Sequence, residues 1–379
     1  MNNDLFFAVT AKAGDFSYDL SLDIASLTVE ENESGPALLT VEIPDPYKIY
    51  SHALREGTEI GTDLGVVSDH SVIFKGRIAK TEGRFHRHEI PFLRILAYDQ
   101  SMNMGLRKRN RIWTETSLEK IVHDIADDYF SENEIKVELK GNPGFTGNGI
   151  RQRNETDLAF LLRLGSAYGC ELFVASGEQE SKLHFKSQYK IMQEEPLVTL
   201  YHDRSGAAYS LLSFDADADI SKIQLPRVFA GSDYDTGKFI QQVTVPIDIV
   251  GDVTDSFADE NLALFSERYP ERADSIKHLL TASEKVYKKM REELGSVKLE
   301  ISTGFTTQDE LSKKAENQFS SSIYGMRANG STAGNHRIHA QSTIRIENVG
   351  GRFSGNWYLS QVRHILNREG YLTEFQCRR

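Results

Sequence analysis

The sequence predicts an α+β protein in which two related β modules accompany helical units. The first observation is a pair of alternating apolar and polar runs, residues 74–78 and 92–98, on either side of a polar turn at residues 82–84. The second is the C-terminal stretch, where residues 353–363 and 371–377 alternate in the same way around a turn. Alternation with a period of two indicates strands. The chain is therefore predicted to end on a β-hairpin that resembles its own N-terminal unit.

Length, composition and charge bound the class of protein. At 379 residues, 39% hydrophobic and 26% charged, the chain has material for roughly two to four domains of an ordinary globular protein. Its net charge of −11 disfavours binding of the whole chain to DNA or anionic lipid. Two cysteines, Cys170 and Cys377, argue against a disulfide scaffold and fit a reducing compartment. We expect neither a signal peptide nor a membrane helix, because the apolar runs are too short.

Residues 1–100 are predicted to form the first β module. Residues 20–24 and 39–43 alternate apolar and polar side chains, which is typical of strands with one face in water. Glycine and proline residues that supply turn geometry separate these runs, including Gly35, Pro36 and Gly57. Several short strands at this spacing favour a small barrel or sandwich.

Residues 101–190 are predicted to be an inserted α/β domain. The capping-box spacing of residues 116–119 precedes an apolar helical face, and residues 154–157 begin a second helix that ends near Gly169. Short alternating runs complete the unit as strands, at residues 135–139, 170–174 and 182–186.

The rest of the chain is predicted as β, then helical, then β. Residues 191–250 contain four strand-like runs, at 197–201, 210–214, 220–229 and 239–245. Residues 251–335 are predicted to be mainly helical, with helices at 256–269 and 271–294. A third helix is predicted to begin after the capping box at Thr307 and to carry Leu311, Ala315, Phe319 and Met326, and a loop is predicted at 330–334. Residues 336–379 supply the closing strands.

A glycine-rich loop and several histidines are the first candidates for a chemical site. Residues 141–149 join a strand to a helix but lack the glycine spacing and the lysine of a phosphate-binding loop, so we interpret them as a loop. His86 and His88 form one pair, and His336, His339 and His364 lie near the C-terminal β unit. A metal site needs a further ligand and second-shell partners that the sequence does not identify. Solvated or interface histidines are the preferred interpretation.

Two charged runs receive structural interpretations as well. The basic run Arg107, Lys108, Arg109 and Arg111 is better explained as a charged connector or a salt-bridged contact than as a nucleic-acid site in an acidic chain. The acidic run of residues 215–219 lacks the glycine and glutamate of a calcium loop, which favours an acidic strand edge or turn. Since hydrolase and metalloprotease motifs are also missing from the sequence, we predict no catalytic, cofactor-binding or metal residues and no cofactor.

Four stretches, in order along the chain, carry a family resemblance. They are residues 73–78 with 93–101, residues 152–164 with Gly169, residues 230–238, and the closing series 349–358, 362–364 and 370–375 with Arg378. Together they resemble the baseplate hub family of contractile phage tails and related injection systems, known as the late control gene D family, and the hub part of type VI secretion spike proteins. Residues 152–164 are the most specific match.

The resemblance implies an architecture, a role and partners. It implies two related small β-barrels with an inserted α/β domain and a helical region, in a ring-forming homotrimer whose six similar units join a six-fold tail tube to a three-fold central spike. The implied partners are further copies of this chain, as a homotrimer, a trimeric spike protein, a tail tube or tube-initiator protein and baseplate wedge proteins. The resemblance implies neither specific nucleic-acid binding nor membrane insertion by this chain. The implied location is the bacterial cytoplasm during assembly and then the baseplate of the particle.

Three alternatives remain open from the sequence. The chain could be a tail-associated cell-wall hydrolase, which would need a cleft with paired carboxylates or a Cys-His pair. It could be a binding module that acts alone, or a hub-like component of a type VI secretion spike. The helical region from 256 to 294 looks longer than the resemblance requires, and its contacts are not predictable from the sequence.

Overall fold

The computed structural model describes residues 4–145, 149–204, 209–219, 227–233, 235–243, 256–296, 299–317 and 325–379. Predictions for residues 220–226 and 244–245, for Phe319 and for the middle of the glycine-rich loop at 146–148 lie outside the described residues. No helix in the described part of the chain combines the length and apolarity needed to span a membrane.

The first β module comprises seven antiparallel strands and one helical turn. These are β1 (Leu5–Ala13), β2 (Phe16–Asp19), β3 (Ser26–Asn32), β4 (Leu38–Pro44), α1 (Tyr50–Ala53), β5 (Glu59–Val66), β6 (Asp69–Arg84) and β7 (Phe92–Asp99). Alternate side chains of β4 and β7 are buried, including Leu39, Val41 and Ile95. The period-two pattern thus builds one apolar face, which is the core of this module.

The α/β unit follows with a second core. It contains β8 (Lys108–Trp113), β9 (Thr116–Ser117), α2 (Leu118–Ala126), β10 (Ile135–Glu138), β11 (Gly144–Phe145), β12 (Ile150–Thr156), α3 (Asp157–Tyr168), β13 (Cys170–Ala175), β14 (Lys182–Ser187) and α4 (Gln188–Met192). Ser117 caps α2, and Gly169 ends α3 in the left-handed conformation with φ of 68°. Both predicted helices are confirmed, with the cap of α2 one residue later than the capping box suggests.

The third part of the chain divides into two sheets. Its elements are β15 (Thr199–Tyr201), β16 (Leu211–Ala218), β17 (Arg227–Asp233), β18 (Phe239–Val243), α5 (Ser256–Arg268), α6 (Ala273–Ser296), β19 (Leu299–Thr306), α7 (Gln308–Asn317), β20 (Met326–Ala333), β21 (Thr343–Glu347), β22 (Gly355–Asn367) and β23 (Gly370–Arg378). We call β15, β16 and β20 to β23 the second β module. Strands β17 to β19 form a small separate sheet that packs on α7 through Phe229 and Leu311.

One sheet of 13 strands joins the two β modules. Its path runs β16-β20-β23-β22-β3-β4-β7-β6-β5-β1-β2, with β21 on β22 and β15 on β21. The closing hairpin β22–β23 is confirmed, and β22 also pairs with β3 of the first module. We call this β3–β22 ladder the module seam.

Several local predictions are wrong, for identifiable reasons. Residues 20–24 form a turn, because Ser21 N donates to Asp19 Oδ1 and Asp23 N donates to Leu20 O, each at 2.9 Å, so these amides are satisfied locally. Met326 and the predicted loop at 330–334 lie largely in β20, because the ring of Phe375 occupies the space where a side chain at Gly330 would lie. The segment 251–335 therefore includes two strands, β19 and β20. Strands β17 and β18 do not belong to the second β module, because they pair with β19 in the separate sheet.

Gly76 offers a test of how β6 packs against β7. A Cβ at Gly76 would lie 2.1 Å from Tyr98 O and 2.7 Å from a ring carbon of Phe74, whereas a Cβ at Gly61 in the adjacent β5 would meet its nearest atom at 3.4 Å. We expect Gly76→Ala to lower the free energy of unfolding by about 2 kcal/mol or more through this clash. Gly61→Ala, the matched control, should change it by less than about 1 kcal/mol.

Chemical denaturation of the purified chain measures both variants. Equal stability of Gly76→Ala and Gly61→Ala would show that the close approach to Tyr98 is not a structural requirement.

Candidate functional site

The module seam is the element on which the relative placement of the two β modules depends. Six residue pairs define its antiparallel register, from Gln361 opposite Asn32 to Leu366 opposite Leu27. Leu27 and Val29 of β3 and Val362 of β22 are buried on the core side. The seam is therefore a packed sheet contact with a specified register.

The outer face of the seam carries a charged network. Arg363 lies opposite Glu30, with 3.7 Å between Nε and Oε2, and donates to Glu374 Oε2 at 2.9 Å. Gln361 Nε2 donates to Glu30 Oε1 at 3.1 Å and to Asn32 Oδ1 at 3.0 Å. Because these side chains are partly exposed, each pair adds little stability, but together they favour one register.

The inner side of the seam carries a largely buried carboxylate, Glu31, a partly exposed imidazole, His339, and a fully buried imidazole, His364. Glu31 accepts from Ala340 N at 2.9 Å, and its Oε1 lies 3.0 Å from His339 Nδ1. Burial opposes ionisation of Glu31, yet His339 and His364 lower its pKa below the ordinary value. Burial also opposes the charge of His339, but Glu31 raises its pKa, whereas burial lowers the pKa of His364 to about 4. Glu31 and His339 thus form a charged pair beside a neutral His364.

The turn after β7 contributes a second buried carboxyl group near the seam. Asp99 accepts from Ala37 N at 2.6 Å and from Ser101 N at 2.8 Å, and burial raises its pKa to about 6. Asp99 lines a cavity of about 90 Å³ together with Glu31 and His339. The stretch 97–101 that carries part of the family resemblance therefore closes this turn.

The α/β unit docks beside the seam through polar contacts. Ser34 Oγ donates to Glu171 Oε2 at 2.5 Å, and Gly35 N donates to Leu172 O at 3.0 Å. Gln188 Nε2 donates to the other Glu171 oxygen at 2.6 Å. Burial, together with the nearby charge of Glu33, raises the pKa of Glu171 to about 7. Glu171 is thus a shared acceptor where the first β module meets the α/β unit.

The stretch 152–164, which carries the most specific resemblance, builds the start of α3. Asp157 is fully buried and accepts from Gln152 Nε2 and from Tyr129 OH, each at 2.8 Å. Arg109 Nε lies 3.3 Å from the same carboxylate. Glu155 pairs with Arg163 at 2.6 Å across the helix start. These residues are structural, and the basic run at 107–111 contributes ion pairs within the α/β unit.

The closing stretch is held by its last residue. Gly355 adopts φ of +127°, and a Cβ there would lie 3.0 Å from the guanidinium of Arg379, which donates to Ser354 O. Trp357 Nε1 donates to Phe353 O at 2.9 Å. Arg378 pairs instead with Glu33 of the first β module. Phe74 and Gly76, by contrast, lie within β6, so the resemblance between the two hairpins does not extend to this local geometry.

The histidines fall into two groups. His86 and His88 are exposed in the loop between β6 and β7. His336 is buried, with Nε2 3.4 Å from Asp69 Oδ1, and His364 is fully buried. Of the two predicted environments, solvated or interface, the solvated one is wrong for His336 and His364, because both side chains are buried, and His364 contacts Ile338 O in the connection between β20 and β21.

The remaining candidates have structural positions. Asp215 and Asp217 are exposed along β16, as an acidic strand edge. The amides of Lys140 and Gly141 donate to Asn317 Oδ1 at 3.0 and 2.9 Å, so the described start of the glycine-rich loop docks on α7. Cys170 and Cys377 are buried, and burial raises the pKa of both thiols, which disfavours the nucleophilic thiolate.

Sequence reasoning missed Glu31 and Glu171, although one signal was available. Residues 27, 29 and 31 share one side of β3, and the first two are Leu27 and Val29. A carboxylate in that row indicates a buried acid with partners elsewhere in the chain. Glu171 carries no such signal, because its position depends on how the α/β unit docks.

Glu171 predicts a pH-dependent stability. A carboxyl group whose folded pKa is raised to about 7 stabilises the protein while it is protonated and loses that contribution as pH rises from about 4.5 to 7. Glu171→Gln mimics the protonated form, so we expect it to be more stable than the natural chain by about 1–3 kcal/mol at pH 8 and nearly equal at pH 4.

The control is Glu180→Gln, which changes an exposed glutamate of the same unit. It should alter stability by less than about 0.5 kcal/mol at either pH. Thermal and chemical unfolding at both pH values measure the difference. If Glu171→Gln has the same effect at pH 4 and pH 8, the raised pKa is refuted.

Comparison with known proteins identifies the family. The family model described as phage tail baseplate hub (GPD) matches residues 73–369. No curated protein matches the sequence. Among solved structures, the fold is similar to the 43 kDa tail protein of prophage MuSo2 from Shewanella oneidensis, with TM-score 0.62, 12% identity and coverage of 99% of this chain and 98% of that chain.

Two further structures share the fold. A tail protein from Neisseria meningitidis MC58 matches with TM-score 0.59 and 11% identity, over 98% of this chain and 96% of that chain. The E. coli c3393 protein, a component of the type VI secretion system, matches with TM-score 0.54 and 10% identity, over 94% of this chain and 73% of that chain. Because the family model spans most of its length, this chain belongs to the phage tail baseplate hub (GPD) family.

Proposed function

We propose that the chain forms a homotrimeric ring that joins a six-fold tail tube to a three-fold central spike. A structural hub role follows from the family. The observation that carries the ring proposal is the module seam, which places two β modules edge to edge in one chain. Three such chains contribute six similar units, so one face can match six-fold symmetry while the assembly keeps three-fold symmetry.

The proposed contact between chains uses the ends of the large sheet. Its path ends at β2 on one side and β16 on the other. Phe16 and Tyr18 of β2 are 69% and 43% exposed, and Leu212 of β16 is 63% exposed. A heterologous contact of β16 with β2 of the next chain would cover these side chains and close a ring after three copies.

We propose a revised division of the chain on this basis. Residues 1–100 form the first barrel and 101–190 the inserted domain. The second barrel uses residues 191–219 and 326–379, because β17 and β18 belong to the small sheet with β19. This small sheet, α5, α6 and α7 then form one insertion between β16 and β20.

We propose that the outer face of the seam lines the pore. A groove on this face is lined by Glu30, Asp215 and Glu374 as well as Arg363. Three carboxylates with one guanidinium would not retain a polyanion that passes through, because retention requires neutralisation of phosphates by Lys and Arg. A ring structure with mainly Lys and Arg on the pore wall would contradict this proposal.

The proposed partners are a trimeric spike protein, a tail tube or tube-initiator protein and baseplate wedge proteins. We propose that the chain assembles in the bacterial cytoplasm and then resides in the baseplate of a phage or tail-like particle. We also propose that the role involves no catalysis, which the buried cysteine thiols support. A peptidoglycan zymogram of the purified chain that shows clearing would contradict a purely structural role.

Oligomeric mass tests the ring. We expect the purified chain to have the mass of three chains by light scattering, or that mass plus the mass of the spike when the spike is present, and to form a three-fold ring with a pore in electron micrographs. A chain that stays monomeric under both conditions would refute the ring.

Single substitutions test the proposed contact. Leu212→Lys introduces an unpaired charge at the contact, so we expect it to weaken trimerisation by ~10-fold or more. Ile112→Lys, at a 64% exposed position on β8 of the α/β unit, is the matched control and should leave trimerisation unchanged. A Leu212→Lys chain that trimerises as well as the control would exclude β16 from the contact.

A further inference from the structure

Three side chains from distant parts of the chain converge on the inner side of the seam. Glu31 comes from β3, His339 from the connection between β20 and β21, and His364 from β22. Each offers one potential metal-ligand atom, and these atoms all lie within 4.8 Å of one another. In the described part of the chain, this is the one cluster of three or more such groups.

Hydrogen bonds at both ring nitrogens fix the orientation of the His364 ring. His364 Nε2 lies 3.0 Å from Ile338 O. Because a carbonyl oxygen only accepts, Nε2 carries the ring hydrogen and Nδ1 presents its lone pair. Nδ1 lies 2.8 Å from the Tyr371 hydroxyl, which donates to it when no ion is bound. Metal-binding histidines ordinarily donate their second ring nitrogen to a carbonyl or carboxylate in this way.

His339 has a similar arrangement. Its Nδ1 faces Glu31, at 3.0 and 3.3 Å from the two carboxylate oxygens, and the backbone of His336 also hydrogen-bonds its ring. The Nδ1 atom and the carboxylate therefore face the same point. At present a proton lies between them, and a cation could replace it.

Burial and charge favour a cation at this point. His364 is fully buried, while the side chains of Glu31 and His339 are 15% and 38% exposed. The cavity of about 90 Å³ lined by Glu31, His339 and Asp99 has room for a water ligand. The Glu31 and Asp99 carboxyl groups can offset the charge of a dication in this partly buried place.

We propose that Glu31, His339 and His364 bind a divalent transition-metal ion, and that Zn²⁺ fits the donor set best. Two imidazole nitrogens and one carboxylate oxygen are ordinary zinc ligands at about 2.0–2.2 Å, and water from the cavity supplies the fourth. A tetrahedral site needs ligand atoms ~3.3 Å apart, so side chains that lie within 4.8 Å close around the ion by a small shift.

The ion would fasten the two β modules together. One ligand belongs to the first module, and two belong to the second. Because the ligands meet only in the folded chain, binding adds to the stability of the seam. All three proposed ligands belong to one chain, so a test of metal binding does not depend on whether the chain forms trimers.

Metal titration of the full chain tests the proposal. After treatment with EDTA and its removal, we expect ZnCl₂ to bind one ion per chain by calorimetry and to raise the unfolding temperature. CoCl₂ should give the visible absorption of a four-coordinate site. At pH 6 binding should release a proton, because the metal replaces the proton shared by Glu31 and His339.

Variants locate the ions. His339→Gln changes a partly exposed ligand, and we expect it to fold in EDTA as the natural chain does but to bind Zn²⁺ ~100-fold more weakly, without the cobalt absorption. Glu31→Gln is a second variant with the same expected loss. The control is the double variant His86→Gln and His88→Gln, which removes two exposed imidazoles and should leave binding unchanged.

Two results would overturn the proposal. One is a natural chain that shows no cobalt absorption, no proton release and no change in unfolding temperature. The other is absorption that persists in His339→Gln but disappears in the His86 and His88 double variant, which would indicate an adventitious ion on the surface only.

Discussion

The ladder between β3 and β22 is the constraint on which the rest of the architecture depends. A shift of one residue in this ladder would move Leu27 and Val29 from the core to the solvent and turn Glu31 outward. The buried row and the outer pairing of Arg363 with Glu30 oppose that shift together. Since each β module lies on one side of the ladder, its register also fixes which residues of the two modules lie opposite each other. The proposed ring requires this register to be the same in every copy.

Buried carboxyl groups lie at several places where separate segments of the chain meet. Glu31 lies between the two β modules, Glu171 between the first module and the α/β unit, and Asp157 where α3 begins, between Gln152 of β12 and Tyr129 after α2. Glu31 and Glu171 accept hydrogen bonds from the remote residues Ala340 and Ser34, whereas Asp157 accepts from Tyr129 and from the nearby Gln152. Such groups add little net stability, because the free energy needed to remove a carboxyl group from water is about as large as the free energy gained from its hydrogen bonds. Their value lies in specificity, since a different docking geometry would leave a buried carboxyl group without donors.

Local features of the fold were predictable from the sequence, whereas strand partners were not. The closing hairpin, the two helices of the α/β unit and the stop at Gly169 follow from periodicity and caps, which act over a few residues. Alternation identifies a strand without naming its neighbour, so the separate sheet of β17 and β18 was missed. Gly330 suggested a loop, but the ring of Phe375 on the adjacent strand occupies the space of its absent side chain. That information belongs to the tertiary structure.

The candidate site shows the same limit at the level of single residues. His339 and His364 stood out in the sequence, but the group that joins them, Glu31, lies 308 residues before His339. The row of residues 27, 29 and 31 indicated a buried acid, yet only the seam shows that its partners are imidazoles. The charged pair of Glu31 and His339 holds a proton between its two side chains. The proposed metal centre uses the same side chains together with His364, because a proton and a zinc ion both bind the Nδ1 lone pair of His339. In the proposed site, the ion would therefore have to displace the proton between Glu31 and His339.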